Sequence, residues 1–260
     1  MPYDNGNLLM DRNEKDDFIS KYNDYSKFVK PILVSYEFIN KIDRFCLWID
    51  DKDCEYTFTC PEIARRVERT KSFRLSSSDA SGRKLAAIPY LFREHPDLSD
   101  CIIVPRVFSE RREYIPIGFL PVGTVVADSA FAIYDATKWL FAILTSKMHM
   151  AWVKTVGGRL KTDYRYSTRL CYNTFPFPTS GEAQKAELAG RAQDVLDLRE
   201  EHFDMTLAEM YNPETMPEDL REAHRRLDLA VERCYRPEPF TSDEERLECL
   251  FKLYVKMTKK

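Results

Sequence analysis

The chain changes its hydrophobic period once, at a proline-rich break. Residues 172–181 read YNTFPFPTSG, and prolines that cannot donate a backbone hydrogen bond leave neither helix nor ladder a path through them. Before the break, apolar residues alternate or run in short blocks. After it they recur every three to four positions. The first pattern calls for a sheet with covering helices and the second for packed helices alone. The expected fold is therefore α+β: a mixed β-sheet domain with helices over residues 1–180, followed by a small all-α domain over residues 181–260.

Finer patterns fill in that outline. Phe45, Leu47 and Ile49 alternate with Arg44, Cys46 and Trp48, which predicts a strand. Pro61 opens a predicted helix to Phe73, with Ile63 and Val67 four residues apart. CIIVPRV (101–107), YIPIGFL (114–120) and TVVADSAFAIY (124–134) read as three strands, in which Pro105 and Pro116 mark edges or bulges. Residues 136–156 read as one helix stopped by Gly157 and Gly158, and RLKTDYRYS (159–167) as a last strand. Three helices are expected beyond Gly181: 182–202, 217–235 and 243–257. Ser242 caps the third, with Glu245 three residues on.

Several function classes drop out. The longest apolar stretch, Ile133 to Leu144, is interrupted by Asp135 and Lys138, so no membrane span is expected. The start MPYDNGNLLMDRNEKDD lacks the basic head and apolar run of a secretory signal, and the seven cysteines are scattered. They read as reduced thiols of a cytoplasmic protein. Cys46, Cys54 and Cys60 lack zinc spacing, and His95, His149, His202 and His224 lie far apart. His149 and His224 are expected as packed core histidines. No GxGxxG, Walker or Asn/Asp-Pro-Pro-aromatic sequence is present. The chain by itself displays no active site.

Charge is unevenly spread. The overall net of −3 divides into −4 over residues 1–60, +7 over 61–178 and −6 over 179–260. A basic middle between acidic flanks points to an anionic partner for that middle, or to chance segregation on a solvated surface. Arg106, Arg111 and Arg112 cluster in VPRVFSERREYI, and in a strand over 159–167 side-chain alternation puts Arg159, Lys161, Asp163, Arg165 and Ser167 on one face. A face of this kind can read DNA, because Arg or Lys donates to guanine O6 and N7 while Asp accepts from cytosine N4. The same face also suits an ordinary salt-bridge ladder.

The strings PRVFSERREYIPIGFL, LTSKMHMAWVKTVGGRLKTDYRYS, CYNTFPFP and TLAEMYNPETMPEDLREAHRRLDLAVERCYR resemble the C-terminal part of type IIL (Mme-type) restriction–modification enzymes. Related class I S-adenosylmethionine-dependent DNA adenine methyltransferases share the likeness. It extends from RFCLWI near the start to YRPEPFTSDEERLECLF near the end. It implies a target-recognition domain followed by a C-terminal helical domain, both belonging to a longer polypeptide. In that layout the adenine-N6 methyltransferase domain lies upstream and binds S-adenosylmethionine, leaving no cofactor here, and some members add an endonuclease.

The resemblance also implies double-stranded DNA and the upstream methyltransferase domain as partners. It assigns base reading to three pairs: Arg106 with Asp128, Lys161 with Asp163, and Ser129 with Arg165. The first two would each specify a G·C pair. Arg111, Arg112, Lys154, Arg159 and Arg169 are expected at phosphates, which position a domain without specifying sequence. Arg65, Arg66 and Arg69 are weaker candidates for the same role. A second reading is a non-catalytic module that docks another protein through its charge asymmetry.

Overall fold

The computed structural model describes residues 3–96 and 98–259. Its strands are β1 (Leu9–Met10), β2 (Val29–Leu33), β3 (Phe45–Leu47), β4 (Cys101–Pro105), β5 (Val107–Phe108), β6 (Gly118–Leu120), β7 (Val125–Val126), β8 (Ala130–Tyr134), β9 (Gly158–Leu160) and β10 (Asp163–Arg165). The helices of the first hundred residues are α1 (Arg12–Lys21), α2 (Ser35–Asn40), α3 (Cys54–Thr57), α4 (Pro61–Leu75) and α5 (Ala80–Lys84). The later ones are α6 (Lys138–Thr145), α7 (Lys147–Val156), α8 (Glu182–Glu201), α9 (Leu207–Met210), α10 (Glu218–Arg233) and α11 (Asp243–Thr258). The α+β class expected from the sequence is the class observed.

Packing divides the chain into two compact units that interleave along the sequence. One comprises the residues up to Glu37, Ile42–Asp100 and Pro121–Asp128; the other comprises Phe38–Lys41, Cys101–Leu120 and everything from Ser129 onward. The helices after the proline-rich break belong to the second unit together with β4–β6 and β8–β10.

In the first unit, a sheet of order β1-β3-β2-β7 is antiparallel except for the parallel pair β2–β7. Cys46, Leu47, Trp48 and Ile49 are all buried. The expected in-out alternation is lost there because β3 is an interior strand, enclosed on both faces. Asp11 caps α1 through a reciprocal box with Glu14. On α4 the stripe Ile63, Val67, Thr70 and Arg74 is buried, which is helical spacing. Arg74, 0% exposed, gives Nε to Tyr3 O, Nη1 to Leu85 O and Ile88 O, and Nη2 to Leu91 O. One guanidinium thereby ties Tyr3 and the segment from Leu85 to Leu91 to α4.

In the second unit, β4 is fully buried at the centre of an antiparallel sheet of order β6-β4-β8, beside a sheet of order β5-β10-β9. The helix expected over 136–156 is two helices. Ser146 turns extended (ψ 161°), ends α6 and caps α7 by accepting from His149 N. Its hydroxyl also donates to Ile143 O, so a residue that competes for backbone groups breaks an otherwise continuous apolar pattern. Around α6 and α7, helices α8, α10 and α11 close a core that includes Trp152, Phe141, Leu188, Leu227 and Leu250. The three long tail helices, α8, α10 and α11, lie within a residue or two of their expected bounds, and the short α9 between them is an addition.

Three predicted strands are each interrupted, and every interruption falls on a proposed base-reading position. CIIVPRV divides into β4 and β5 at Arg106, and TVVADSAFAIY divides into β7 and β8 around Asp128 and Ser129. RLKTDYRYS is not one strand but the hairpin β9–β10, turning at Lys161 and Thr162.

Candidate nucleic-acid interface

Arg106 stands where the two sheets of the second unit meet. Its N–H donates to Ser129 O and its C=O accepts from Tyr166 N, each at 2.8 Å, so the backbone is held from both sides while the side chain is exposed. The guanidinium lies 4.6 Å from the centre of the Phe131 ring, a cation–π contact. Arg106 and Phe131 then line a cavity of about 390 Å3 together with Arg165, Arg169, Ser167 and Thr168. Gly158, Tyr166 and Leu170 complete the wall. Three arginines and three hydroxyl-bearing residues line this space and no carboxylate does.

Two features fix the floor of the cavity. Tyr166 is 3% exposed and bonds His149 Nε2 at 2.9 Å. Burial lowers the pKa of His149 to about 3, so it is a neutral partner, packed in the core as expected. Gly157 lets the end of α7 close on β10. A Cβ there would stand 2.5 Å from Val153 O and 3.3 Å from Arg165 O.

The hairpin carries the next candidates. Its register pairs Asp163 with Leu160, Tyr164 with Arg159 and Arg165 with Gly158. Directly opposed residues share a face, so Leu160, Asp163 and Arg165 project to one side and Arg159 to the other. The expected grouping of Arg159 and Lys161 with Asp163 and Arg165 is corrected here. The chain reverses at Lys161, and alternation does not carry through a turn. Arg159 stacks 4.0 Å from the Tyr164 ring, donates to Thr162 O and pairs with Glu110 at 3.1 Å. Lys161 is exposed at the tip with φ 57°. That left-handed conformation favours Gly, Asn or Asp and costs a lysine of order 1 kcal/mol.

The remaining expected contacts differ in their surroundings. Arg169 is exposed on the single π-helical turn Thr168–Tyr172 and has no ion-pair partner among the described residues. Arg111 pairs with Glu214, and Lys154 with Asp243 at 3.4 Å. Arg112 is only partly exposed, its Nη1 is enclosed without a hydrogen-bond partner, and burial lowers its pKa while the charge of Asp163 works the other way.

Ser129 is exposed in the second unit, whereas Asp128 belongs to the first. At φ 38°, Asp128 lines a separate cavity of about 280 Å3 with Asp4, Glu37 and Arg44. On α4, Arg65 and Arg66 are tied to Glu62, and Arg66 also donates to Asn7 O and Leu9 O. Arg69 lines an open groove with Asn5, Asn7 and Ser72.

Sequence reading missed Phe131, Thr168 and Leu170 as parts of the arginine-lined cavity. Only the Ser167 hydroxyl, which accepts from Leu170 N, could have flagged the turn that presents them. No group of three His, Cys, Asp or Glu among the described residues could hold a metal ion. No helix of the described residues is long and apolar enough to cross a membrane. All seven cysteines are free thiols.

Comparison with known proteins adds to this geometry. Residues 1–179 match the family model "MmeI, target recognition domain" and residues 180–260 match "MmeI, C-terminal domain". A protein named DNA methyltransferase A, from Bacillus subtilis (strain 168), is 47% identical over 261 residues, covering 100% of this chain and 30% of that protein. A solved structure of the type IIL restriction-modification enzyme MmeI in complex with DNA superposes with a TM-score of 0.93 at 36% identity. It covers 100% of this chain and 35% of that one. The chain thus spans about a third of the length of these relatives.

Proposed function

The chain belongs to the MmeI family, carrying its target recognition domain followed by its C-terminal domain, and on that premise we propose that it reads the sequence of duplex DNA for an adenine-N6 methyltransferase. The observation that carries this reading is the cavity lined by Arg106, Arg165 and Arg169 without a carboxylate, next to a hairpin that projects Asp163 and Lys161. A site with this charge attracts a polyanion. The mixture of fixed donors and one acceptor beside it is what base edges in a major groove require.

Roles divide by exposure and partner. Arg106, Arg165, Lys161 and Asp163 read base edges, and Ser129 supports Arg165. Asp128 is likewise assigned to base reading. Arg169, exposed on the wall of the cavity, takes a phosphate. Arg111, Lys154 and Arg159 reach phosphates only by leaving Glu214, Asp243 and Glu110. Exposed ion pairs of this sort are worth about 0–1 kcal/mol, so a phosphate can displace them. Arg112 supports the hairpin from beneath more than it reaches outward.

Catalysis is assigned to parts of a longer protein outside this chain. S-adenosylmethionine does not suit the arginine-lined cavity, which offers no carboxylate to its ribose hydroxyls or its sulfonium charge. The methyltransferase domain of the same polypeptide is the proposed protein partner, an endonuclease is an optional addition, and the compartment is the cytoplasm.

The test exchanges the Lys161–Asp163 pair. In the full-length protein, Lys161→Glu combined with Asp163→Arg should invert one base pair of the methylated motif, read by sequencing modified bases in host DNA. An unchanged motif with retained methylation would overturn the assignment of that pair.

A further inference from the structure

On the hairpin face an apolar side chain stands largely exposed. Leu160 ends β9 and is 53% exposed. The register sets it opposite Asp163, and Gly158, two residues earlier on the same face, sits opposite Arg165. Its neighbours on that face are therefore a carboxylate, a guanidinium and bare backbone. All three residues of β9 are exposed, and β9 is the edge of its sheet, so the fold gains little from a leucine at this point.

We propose that Leu160 is a specificity-determining residue that packs on the C5-methyl group of a thymine in the major groove, beside the base pair read by Asp163. The proposal rests on the base-reading role of the hairpin. The thymine methyl is the one apolar feature of a major-groove base edge, and it is recognised by apolar contact rather than by hydrogen bonds. Opposed Cβ atoms of an antiparallel pair lie about 4.5–5.5 Å apart, on the scale of the roughly 3.4 Å base-pair rise. Leu160 and Asp163 can thus address neighbouring base pairs at once. With no side chain, Gly158 leaves room for base edges to approach. The face then presents a donor in Arg165, an acceptor in Asp163 and an apolar group in Leu160, one for each chemistry a base edge offers.

The experiment uses the full-length protein and synthetic duplexes carrying the motif it methylates. Each thymine in and next to the motif is replaced singly by deoxyuridine, which removes the methyl and leaves every hydrogen bond. At one thymine the uridine duplex should bind about fourfold more weakly, the worth of one buried methyl group. Leu160→Ala should bind the thymine duplex that weakly and no longer distinguish the two, while Leu160→Met keeps the distinction. A motif without a sensitive thymine, or an equal loss on both duplexes in Leu160→Ala, would overturn the role of Leu160. If the wild-type protein bound no duplex at all, the proposed function itself would fall and this inference with it.

Discussion

Two of the buried titratable residues, His149 and Asp228, respond to pH in opposite senses. Burial lowers His149 from an ordinary 6.5 to about 3, so the folded state refuses a proton that the unfolded chain accepts between those values. Its contribution is whole above about pH 6.5 and is lost as pH falls toward 3. Asp228 behaves oppositely. It accepts from Lys147 N and from the Tyr114 hydroxyl, yet burial raises it from 3.8 to about 7. Its contribution is whole below pH 3.8 and is lost as pH rises through 7. Asp228→Asn should therefore start less stable than wild type in acid and recover ground between about pH 4 and 7, read from urea midpoints. A difference independent of pH would mean that Asp228 does not titrate in this window. Arg74 tests hydrogen bonding instead of ionisation. Arg74→Met strips the donors from four carbonyls and should cost about 3–5 kcal/mol of unfolding free energy.

At the scale of elements, the sequence was informative where packing dictates structure and silent where the site does. The tail helices were legible because each combines a stripe with an end signal. Leu220, His224, Leu227 and Val231 are all buried on α10, and the Ser242 hydroxyl accepts from Glu245 N to open α11. The gathering of arginines was legible as residue type, and the cavity holds Arg106, Arg165 and Arg169 together. What could not be read was the point at which a strand stops. Asp128 and Lys161 adopt positive φ; Asp128 is a residue that tolerates such a turn, set inside an apolar segment that reads as strand, and Lys161 carries no turn signal at all. Through Lys161 the even spacing of Leu160, Tyr164 and Tyr166 runs on, so local signal and native backbone disagree at a position where function is proposed. Gly157 is the exception that sequence did mark. Gly157→Ala, forced against Val153 O and crowding Arg165 O of β10, should cost about 1–3 kcal/mol. Because the displaced strand carries Arg165, duplex binding should also weaken by more than the loss of folded protein explains.

For the whole molecule, a net charge of −3 conceals a basic surface on a protein that is acidic overall. Binding should therefore be strongly sensitive to salt, and individual arginines should count unequally. Arg169→Ala should lower the slope of log affinity against log salt by about 0.9, the release of one counterion set. Arg111→Ala should lower it less, because Glu214 already neutralises that charge. Equal slopes for the two variants would show that the ion pair is immaterial. The seating of Arg106 has a consequence of another kind. Its peptide N–H and C=O are both bonded to neighbouring backbone, and these groups are the same for every amino acid except proline, which lacks the N–H. The position works like a socket in which part of the fitting is common to every tool. On the proposed function, exchanging the side chain there leaves both peptide bonds in place, so a change of target sequence at this position asks little new of the backbone.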